Sequence, residues 1–365
     1  MAYTTINDPS AHFQTVLWTG NAADGSGGQT QAITFDGNSD MQPDWVWVKQ
    51  RSHAAKHHIV DSSRGVSQRI VSNNSDGEDD QGSNNGVYQF NSDGFNVGTF
   101  GRGVNDTSKT YVAWCWKANG ATTTTNDASA TSVGTIDSVY QANTSAGFSI
   151  VTWTGTGSNG SIAHGLGVVP DLIISKSRGH AENWAVYHKN SNSTPEDYYL
   201  ALDDTRAATD SAVVWNDTAP TSTVISIGTQ DKINKSGSTH IAYCFNEIKG
   251  YSKFGSYTAN GNASGPFVYT GFKPALIIIK RTDGAGNDWR IMDHKRDPDN
   301  IVEGRIKPNE DAAEDTNDQL DFLSNGFKLR ATAGDLNGTD GHTFIYIAFA
   351  ETPFVSSTGT PTTAR

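Results

Sequence analysis

The sequence contains three versions of one seven-residue block: Pro43-Asp-Trp-Val-Trp-Val-Lys49, Pro170-Asp-Leu-Ile-Ile-Ser-Lys176 and Pro274-Ala-Leu-Ile-Ile-Ile-Lys280. Each block opens on proline, continues as an apolar run and ends on lysine. A proline at the first residue of a strand costs no ladder hydrogen bond, and a short apolar run bounded in this way predicts a buried strand. Recurrence of the block predicts a chain built from three repeats.

Two further blocks flank each proline block in the same order. The opening blocks are aromatic-led strands at Phe13–Gly20, Phe148–Gly155 and, one residue looser, Tyr251–Gly261. The closing blocks are Tyr111-Val-Ala113-Trp-Cys115, His240-Ile-Ala242-Tyr-Cys244 and Tyr346-Ile-Ala348-Phe-Ala350. The distance from opening to closing block is similar in all three, which supports three units of equal size.

The two cysteines take the same place in this alignment. Cys115 and Cys244 end the first two closing blocks, and Ala350 takes that place in the third. A position that accepts cysteine or alanine requires a small apolar side chain on one face of a strand. The alignment therefore predicts two separate, buried, free thiols rather than a disulfide or a reactive cysteine.

Turn signals between the apolar runs indicate the fold class. Asp93-Gly94, Asn159-Gly160 and Asn325-Gly326 favour tight hairpins, because these residues reach positive φ easily. Short strands at such intervals predict an all-β protein of three tandem antiparallel β-sandwich units with jelly-roll or lectin-like character. We assign residues 1–117, 136–249 and 250–354 to the three units, 118–135 to an extended linker and 355–365 to a polar tail.

Composition narrows the class of partner. The chain has 39 Asp and Glu against 27 Lys and Arg, a net charge of −12, with no Lys/Arg run, which argues against nucleic-acid binding. The longest apolar runs fall well short of a membrane span. The N-terminus lacks the basic and apolar regions of a signal peptide. We therefore expect neither a nucleic-acid partner nor membrane insertion.

Longer strings resemble a family of tailed-bacteriophage proteins. They include Gly147-Phe-Ser-Ile-Val-Thr-Trp-Thr-Gly155, His164-Gly-Leu-Gly-Val-Val-Pro-Asp171, Asn183-Trp-Ala-Val-Tyr-His-Lys189 and Ala348-Phe-Ala-Glu-Thr-Pro-Phe354. The resemblance spans most of residues 1–354 and is most familiar from phages of marine and other aquatic bacteria. It implies a virion protein of the tail or tail-fibre type with tandem β-sandwich repeats, and it implies no established catalytic residues.

Two acidic loops are candidate Ca²⁺ sites. They fall at equivalent places in the first and third units, and closely spaced carboxylate oxygens suit this cation, although neither loop has an EF-hand spacing. A solvated acidic loop is the alternative interpretation, and no other cofactor is expected. The residues are Asp76, Glu78, Asp79 and Asp80 in the first loop and Glu310, Asp311, Glu314 and Asp315 in the second.

Two tryptophans are candidates for glycan contact. Trp184 and Trp289 could stack on sugar rings, with Asn, Asp and Lys binding the hydroxyls. Their recurrence at matched positions of two units favours core packing instead. The sequence leaves both interpretations open.

These observations lead to one main functional hypothesis and two alternatives. We expect a non-enzymatic virion protein in the tail or tail fibre that binds a host-surface glycan or receptor. It would assemble with other virion proteins and with itself, with a trimer favoured. The alternatives are a capsid decoration protein or tail-fibre adaptor, which would dock through the ordered segment Met1–His12, and a capsule or lipopolysaccharide depolymerase.

Overall fold

A computed structural model gives the structure of residues 3–22, 29–98, 103–317 and 319–362. Within these residues the chain forms several antiparallel sheets, and helix is confined to single turns. The all-β class predicted from the sequence is therefore confirmed. The helical turns are α1 (Ala128–Thr131), α2 (Asp231–Asn234) and the 3₁₀ segments Pro9–Ala11 and Pro195–Asp197.

The first unit consists of two sheets and a short ribbon. Its main sheet has the order β1-β9-β3-β4, its second sheet has the order β2-β8-β7, and β5 pairs with β6. The strands are β1 (Phe13–Thr19), β2 (Gln31–Ile33), β3 (Trp45–Gln50), β4 (His58–Asp61), β5 (Gln68–Arg69), β6 (Asp79–Asp80), β7 (Val87–Phe90), β8 (Phe95–Val97) and β9 (Thr110–Trp116).

The second unit has the widest main sheet. Its order is β10-β11-β12-β19-β14-β15, and β13 pairs with β18 and β16 with β17 in two ribbons. The strands are β10 (Thr124–Asn126), β11 (Ser138–Asn143), β12 (Phe148–Thr154), β13 (Gly160–Ala163), β14 (Leu172–Ser177), β15 (Ala185–His188), β16 (Tyr198–Tyr199), β17 (Thr209–Asp210), β18 (Val224–Ile227) and β19 (Thr239–Phe245).

The third unit repeats the arrangement of the first. Its main sheet has the order β20-β26-β22-β23 and its second sheet has the order β21-β25-β24. The strands are β20 (Ser252–Thr258), β21 (Phe267–Tyr269), β22 (Phe272–Arg281), β23 (Arg290–Asp293), β24 (Leu320–Leu323), β25 (Gly326–Leu329) and β26 (Thr343–Pro353).

One strand order therefore recurs in the three main sheets. In each sheet the closing strand lies between the opening strand and the proline-block strand. The strand that follows the proline block in sequence pairs with the other edge of the proline-block strand. Pro43 and Pro170 lie two residues before β3 and β14. Pro274 lies inside β22, and the pairing with β26 slips there, as expected where proline interrupts a ladder.

The two faces of each main sheet pack into different cores. Val46 and Val48 of β3 point into a core that belongs to the first unit, and the second and third units have cores of their own. Trp45 and Trp47, which alternate with these valines, point into a fourth core that takes residues from all three units. The units therefore share their largest apolar interior.

Three rings meet in the shared core. The ring centroids of Trp116 and Phe245 are 6.3 Å apart, those of Trp116 and Phe349 5.4 Å, and those of Phe245 and Phe349 5.6 Å. Each ring comes from the closing strand of a different unit. Aromatic pairs at these distances add stabilisation beyond burial of their area.

Strand register corrects the alignment of the third closing block. Trp116, Phe245 and Phe349 pair with equivalent residues of the proline blocks, Trp45, Leu172 and Leu276. The residue equivalent to Cys115 and Cys244 is therefore Ala348, not Ala350, and the sequence alignment was two residues out. A shift of two leaves each side chain on the same face, so the apolar pattern could not reveal it. Both thiols are free and buried, as predicted.

Residues 118–135 differ from the extended linker that their composition predicts. Strand β10 adds to the edge of the second main sheet, and α1 follows it. The backbone N–H groups of Ala118, Gly120 and Ala121 donate to the Asp44 carboxylate at 2.8–2.9 Å. Hydrogen bonds, rather than apolar burial, order this polar segment. The polar tail also turns back, with Ser356 N donating to Thr360 O, and its last three residues lie outside the described part of the chain.

Replacing Phe245 by alanine tests the shared core. We expect the free energy of unfolding to fall by about 3–5 kcal/mol, because the variant leaves a cavity in the shared core. We also expect all three units to unfold in one transition, because each of them packs on this core. Urea unfolding followed by tryptophan fluorescence and amide exchange measures both. Val169→Ala, at a residue that is 47% exposed, should have almost no effect. Separate transitions for the three units would contradict the shared core.

Candidate functional site

Three buried lysines join the units in a closed ring. Lys49, Lys176 and Lys280, the last residues of the proline blocks, are all 0% exposed. Each donates from Nζ to a backbone carbonyl of a different unit. The acceptors are Asp311 O at 3.2 Å for Lys49, Ser75 O at 2.9 Å for Lys176 and Thr205 O at 3.3 Å for Lys280. The first unit thus binds a loop of the third, the second a loop of the first, and the third a loop of the second.

The candidate glycan tryptophans belong to the same ring of contacts. Trp184 and Trp289 are 0% and 1% exposed, and each Nε1 donates to the preceding unit, at Val71 O (2.9 Å) and Ala201 O (2.8 Å). His57 takes the equivalent place in the first unit, and its Nε2 donates to Lys307 O at 3.0 Å. Because the rings lie in the core, neither tryptophan offers a face to a sugar. The core-packing interpretation fits these contacts.

Glu78 and Glu314 tie neighbouring units together from the two acidic loops. Glu78 lies 2.9 Å from Arg64 of its own unit and 2.9 Å from Arg178 of the second. Glu314 contacts Arg296 of its own unit and Arg51 of the first in the same way. Burial opposes ionisation of Glu78, but the two guanidinium groups outweigh it and lower the pKa of this carboxyl.

The remaining acidic candidates are mostly paired with cations too. Asp80 instead accepts from Ser67 Oγ and Gly82 N, and Asp311 contributes the backbone carbonyl that binds Lys49. Neither loop gathers three His, Cys, Asp or Glu ligand atoms within the described residues. In this structure most of the carboxylates of the two loops instead contact neighbouring cations. The pairs are Asp76 with Lys56, Asp79 with Arg69, Glu310 with Lys307 and Asp315 with Arg305.

An exposed aromatic surface is centred on strand β21 of the third unit. We call it the tyrosine surface and define it by Tyr3, Phe267 and Tyr269, with Glu247, Lys249 and Lys253 beside them. Phe267 and Tyr269 are 46% and 54% exposed, whereas Val268 between them is buried. Strand β21 is an edge strand, and alternation along it sends both aromatic rings outward.

The tyrosine surface borders a cavity of about 330 Å³, lined by all of its members except Phe267. The Tyr3 hydroxyl donates to Gly271 O at 2.8 Å and lies 3.2 Å from the Tyr269 hydroxyl. Lys249 Nζ is 4.4 Å from the centroid of the Tyr3 ring, a cation–π distance. These contacts hold the two phenol groups side by side at the mouth of the cavity.

The cavity presents fixed charges of both signs. Glu247 lies 2.8 Å from Lys189 and 3.1 Å from Lys253, and its Oε1 accepts from Phe254 N. Burial of Glu247 opposes ionisation, but these partners lower the pKa of its carboxyl. Burial and the contact with Tyr269 raise the pKa of Tyr3. At neutral pH the cavity therefore offers a carboxylate, ammonium groups and phenol O–H groups as hydrogen-bonding partners.

The equivalent strand of the first unit lacks the aromatic pair. Gly94 and Gly326 take equivalent places in the two units, and each lies against the backbone of a neighbouring strand. A Cβ at Gly94 would lie 1.9 Å from Ile33 O, and a Cβ at Gly326 would lie 2.1 Å from Val268 O. This equivalence places Ala32 and Thr34 where the third unit has Phe267 and Tyr269. Sequence reasoning missed the tyrosine surface, although the alternation Phe-Val-Tyr in a short strand was a usable signal.

The fold and this site define an all-β protein with three main sheets around one core and an aromatic, charged cavity lined by residues of all three units. The chain belongs to the family described as "Domain of unknown function (DUF7483)", whose family model matches residues 8–353. No curated protein and no solved structure matches it. In the described part of the chain, every helix is too short to cross a membrane.

Replacing Lys280 by methionine tests the buried lysines. Burial lowers the pKa of Lys49, Lys176 and Lys280 from 10.5 to about 8. Between these pH values the unfolded chain binds more protons than the folded chain, so each lysine makes the free energy of unfolding rise with pH. Lys280→Met should reduce that slope by up to about 1.4 kcal/mol per pH unit.

Urea unfolding of parent and variant from pH 8 to 10.5 measures this difference. The buried thiols act in the opposite direction, since burial raises their pKa, so the comparison with the parent is the test. Lys56→Met, at a residue whose side chain is 47% exposed, should leave the slope unchanged. Equal slopes for the parent and Lys280→Met would rule out the buried-lysine effect.

Replacing Trp184 by phenylalanine tests the contact between the first two units. The variant leaves the buried Val71 carbonyl without its donor, so the free energy of unfolding should fall by about 1–3 kcal/mol. Amide exchange should increase on both sides of the contact. Trp18→Phe is the matched control, because Trp18 Nε1 bonds Val104 O within the first unit and its effect should stay there. Unchanged exchange near Val71 would contradict the assignment.

Proposed function

We propose that the protein is a non-enzymatic virion protein of a tailed bacteriophage, a tail or tail-fibre component that binds glycan on the host surface. The tyrosine surface is the observation that carries the binding part of this proposal. Large exposed aromatic side chains beside a polar cavity are typical of a binding site rather than of inert surface.

The chemistry of the tyrosine surface suits a sugar. The apolar C–H face of a pyranose ring packs on an aromatic ring such as Tyr269 or Phe267. Its hydroxyl groups need both donors and acceptors, which Lys249, Lys253 and Glu247 supply. Because these charged groups are held by neighbours, little side-chain entropy is lost when the sugar binds.

The architecture is compatible with this proposal. We interpret the three units as tandem β-sandwiches, since each main sheet has a local core on its outer face. Shared burial and the ring of lysine contacts hold the three units together, which suits a protein exposed outside the cell. The proposal includes assembly into a homo-oligomer, with a trimer favoured, because several weak sugar sites gain affinity together.

The N-terminal segment favours adhesion over the adaptor alternative. An adaptor would use residues 1–12 to dock on another virion chain. Here Tyr3 bonds Gly271, and Ile6 is 5% exposed and belongs to the shared core. Within the described residues 3–12, this segment therefore packs on its own chain.

Removing the aromatic rings tests the proposal. Tyr269→Ala and Phe267→Ala should each weaken binding to a bacterial surface glycan at least tenfold, while stability changes little because the rings are exposed. Binding is measured on an array of capsular and lipopolysaccharide glycans and then by calorimetry with the best ligand. Tyr88→Ala, on the second sheet of the first unit, is the aromatic control and should bind like the parent.

Two outcomes would overturn the proposal. The first is equal glycan binding by the parent and both aromatic variants, and the second is the absence of glycan binding by the parent. Electron cryomicroscopy of the virion tests the location separately. Density at the distal tail or in a projecting fibre would support a tail protein, and density on the capsid shell would contradict it.

A further inference from the structure

A group of three metal-ligand side chains lies at the junction of the first two units, away from the tyrosine surface. One ligand atom each from His180, Glu182 and Asp231 lies within 4.8 Å of the others. His180 and Glu182 belong to the loop between β14 and β15, and Asp231 is the first residue of α2. A nitrogen with two carboxylate oxygens at this separation is a donor set for a divalent cation.

Two serine hydroxyls hold the His180 ring through one of its nitrogens. Its Nδ1 lies 2.7 Å from Ser177 Oγ and 2.8 Å from Ser238 Oγ. When a serine hydroxyl accepts the Nδ1 proton, the lone pair is on Nε2. That atom is buried and has no hydrogen-bond partner within the described residues. Fixing one imidazole nitrogen so that the other can bind metal is a common arrangement in metalloproteins.

A second histidine lies beside the group. His240 is 0% exposed and lies near the backbone of Lys232 and Lys235, but neither ring nitrogen is within well-formed hydrogen-bond geometry of a described residue. Its ring meets the His180 ring edge-on, with centroids 6.0 Å apart, and stacks on Trp153. A second imidazole ring therefore lies within reach of the group.

One lysine lies beside the group. Lys235 Nζ lies 3.8 Å from Asp231, but both side chains are about half exposed, so this weak pair can open.

We propose that His180, Glu182 and Asp231 bind a divalent transition-metal ion of the zinc type, with His240 next to the ion. Imidazole favours zinc over Ca²⁺, which takes oxygen ligands. The loop of His180 also contacts the first unit, because Glu182 N donates to Ser75 O and Glu78 N to Arg178 O. The ion therefore connects α2 to the junction between units and stabilises that junction.

Calorimetric titration of the metal-stripped full chain with ZnCl₂ tests the site. We expect one Zn²⁺ per chain and no binding of CaCl₂. His180→Ala and Asp231→Asn should each weaken Zn²⁺ binding at least tenfold. Asp231 is exposed, so its variant should fold normally even if His180→Ala does not. Co²⁺ in place of Zn²⁺ should give a visible absorption band that both variants lose.

A matched control comes from the first unit. His53 follows Lys49 at the same distance at which His180 follows Lys176, but it is exposed. His53→Ala should bind Zn²⁺ like the parent and keep the rise in melting temperature that the ion produces. Failure of the parent to bind Zn²⁺, or parent-like affinity in Asp231→Asn, would overturn the proposal. Neither result would affect the glycan proposal, because the metal group and the tyrosine surface have no residue in common.

Discussion

The contact of Trp116, Phe245 and Phe349 is the constraint on which the rest of the structure depends. Each ring comes from the strand that closes its unit, so the three closing strands approach one another at these residues. The inner faces of the main sheets become core, and their outer faces need cores of their own. Two-sided burial explains why the proline blocks read as continuous apolar runs.

Polar contacts around this core repeat from unit to unit, although the residues that make them differ. Asp61 and Asp293 take equivalent places in β4 and β23 and form fully buried pairs with Arg64 and Arg296. In the second unit, His188 of β15 takes the place that Asp61 and Asp293 take in the other two units, and its Nε2 donates to Tyr346 O. Removing one partner from a buried ion pair is costly, so these positions restrict how the units can diverge.

The two proposed sites occur where the repeats differ. The aromatic pair is on the second sheet of the third unit, where the first unit has Ala32 and Thr34. The metal ligands are in the second unit, where the first has the exposed His53. Structural contacts are shared because every unit must close the same core, whereas an outer strand or loop can change without disturbing it.

The sequence alone determined the all-β class and the buried thiols, because apolar period, turn residues and block spacing are local properties. Tertiary structure decided which face of each strand meets which core. Trp184 and Trp289 therefore became contacts between units, while Phe267 and Tyr269 remained exposed. The acidic loops were visible in the sequence, but their arginine partners come from distant positions such as Arg178 and Arg51. Contacts between residues so far apart in the chain depend on how the three sheets pack, which a local pattern does not encode.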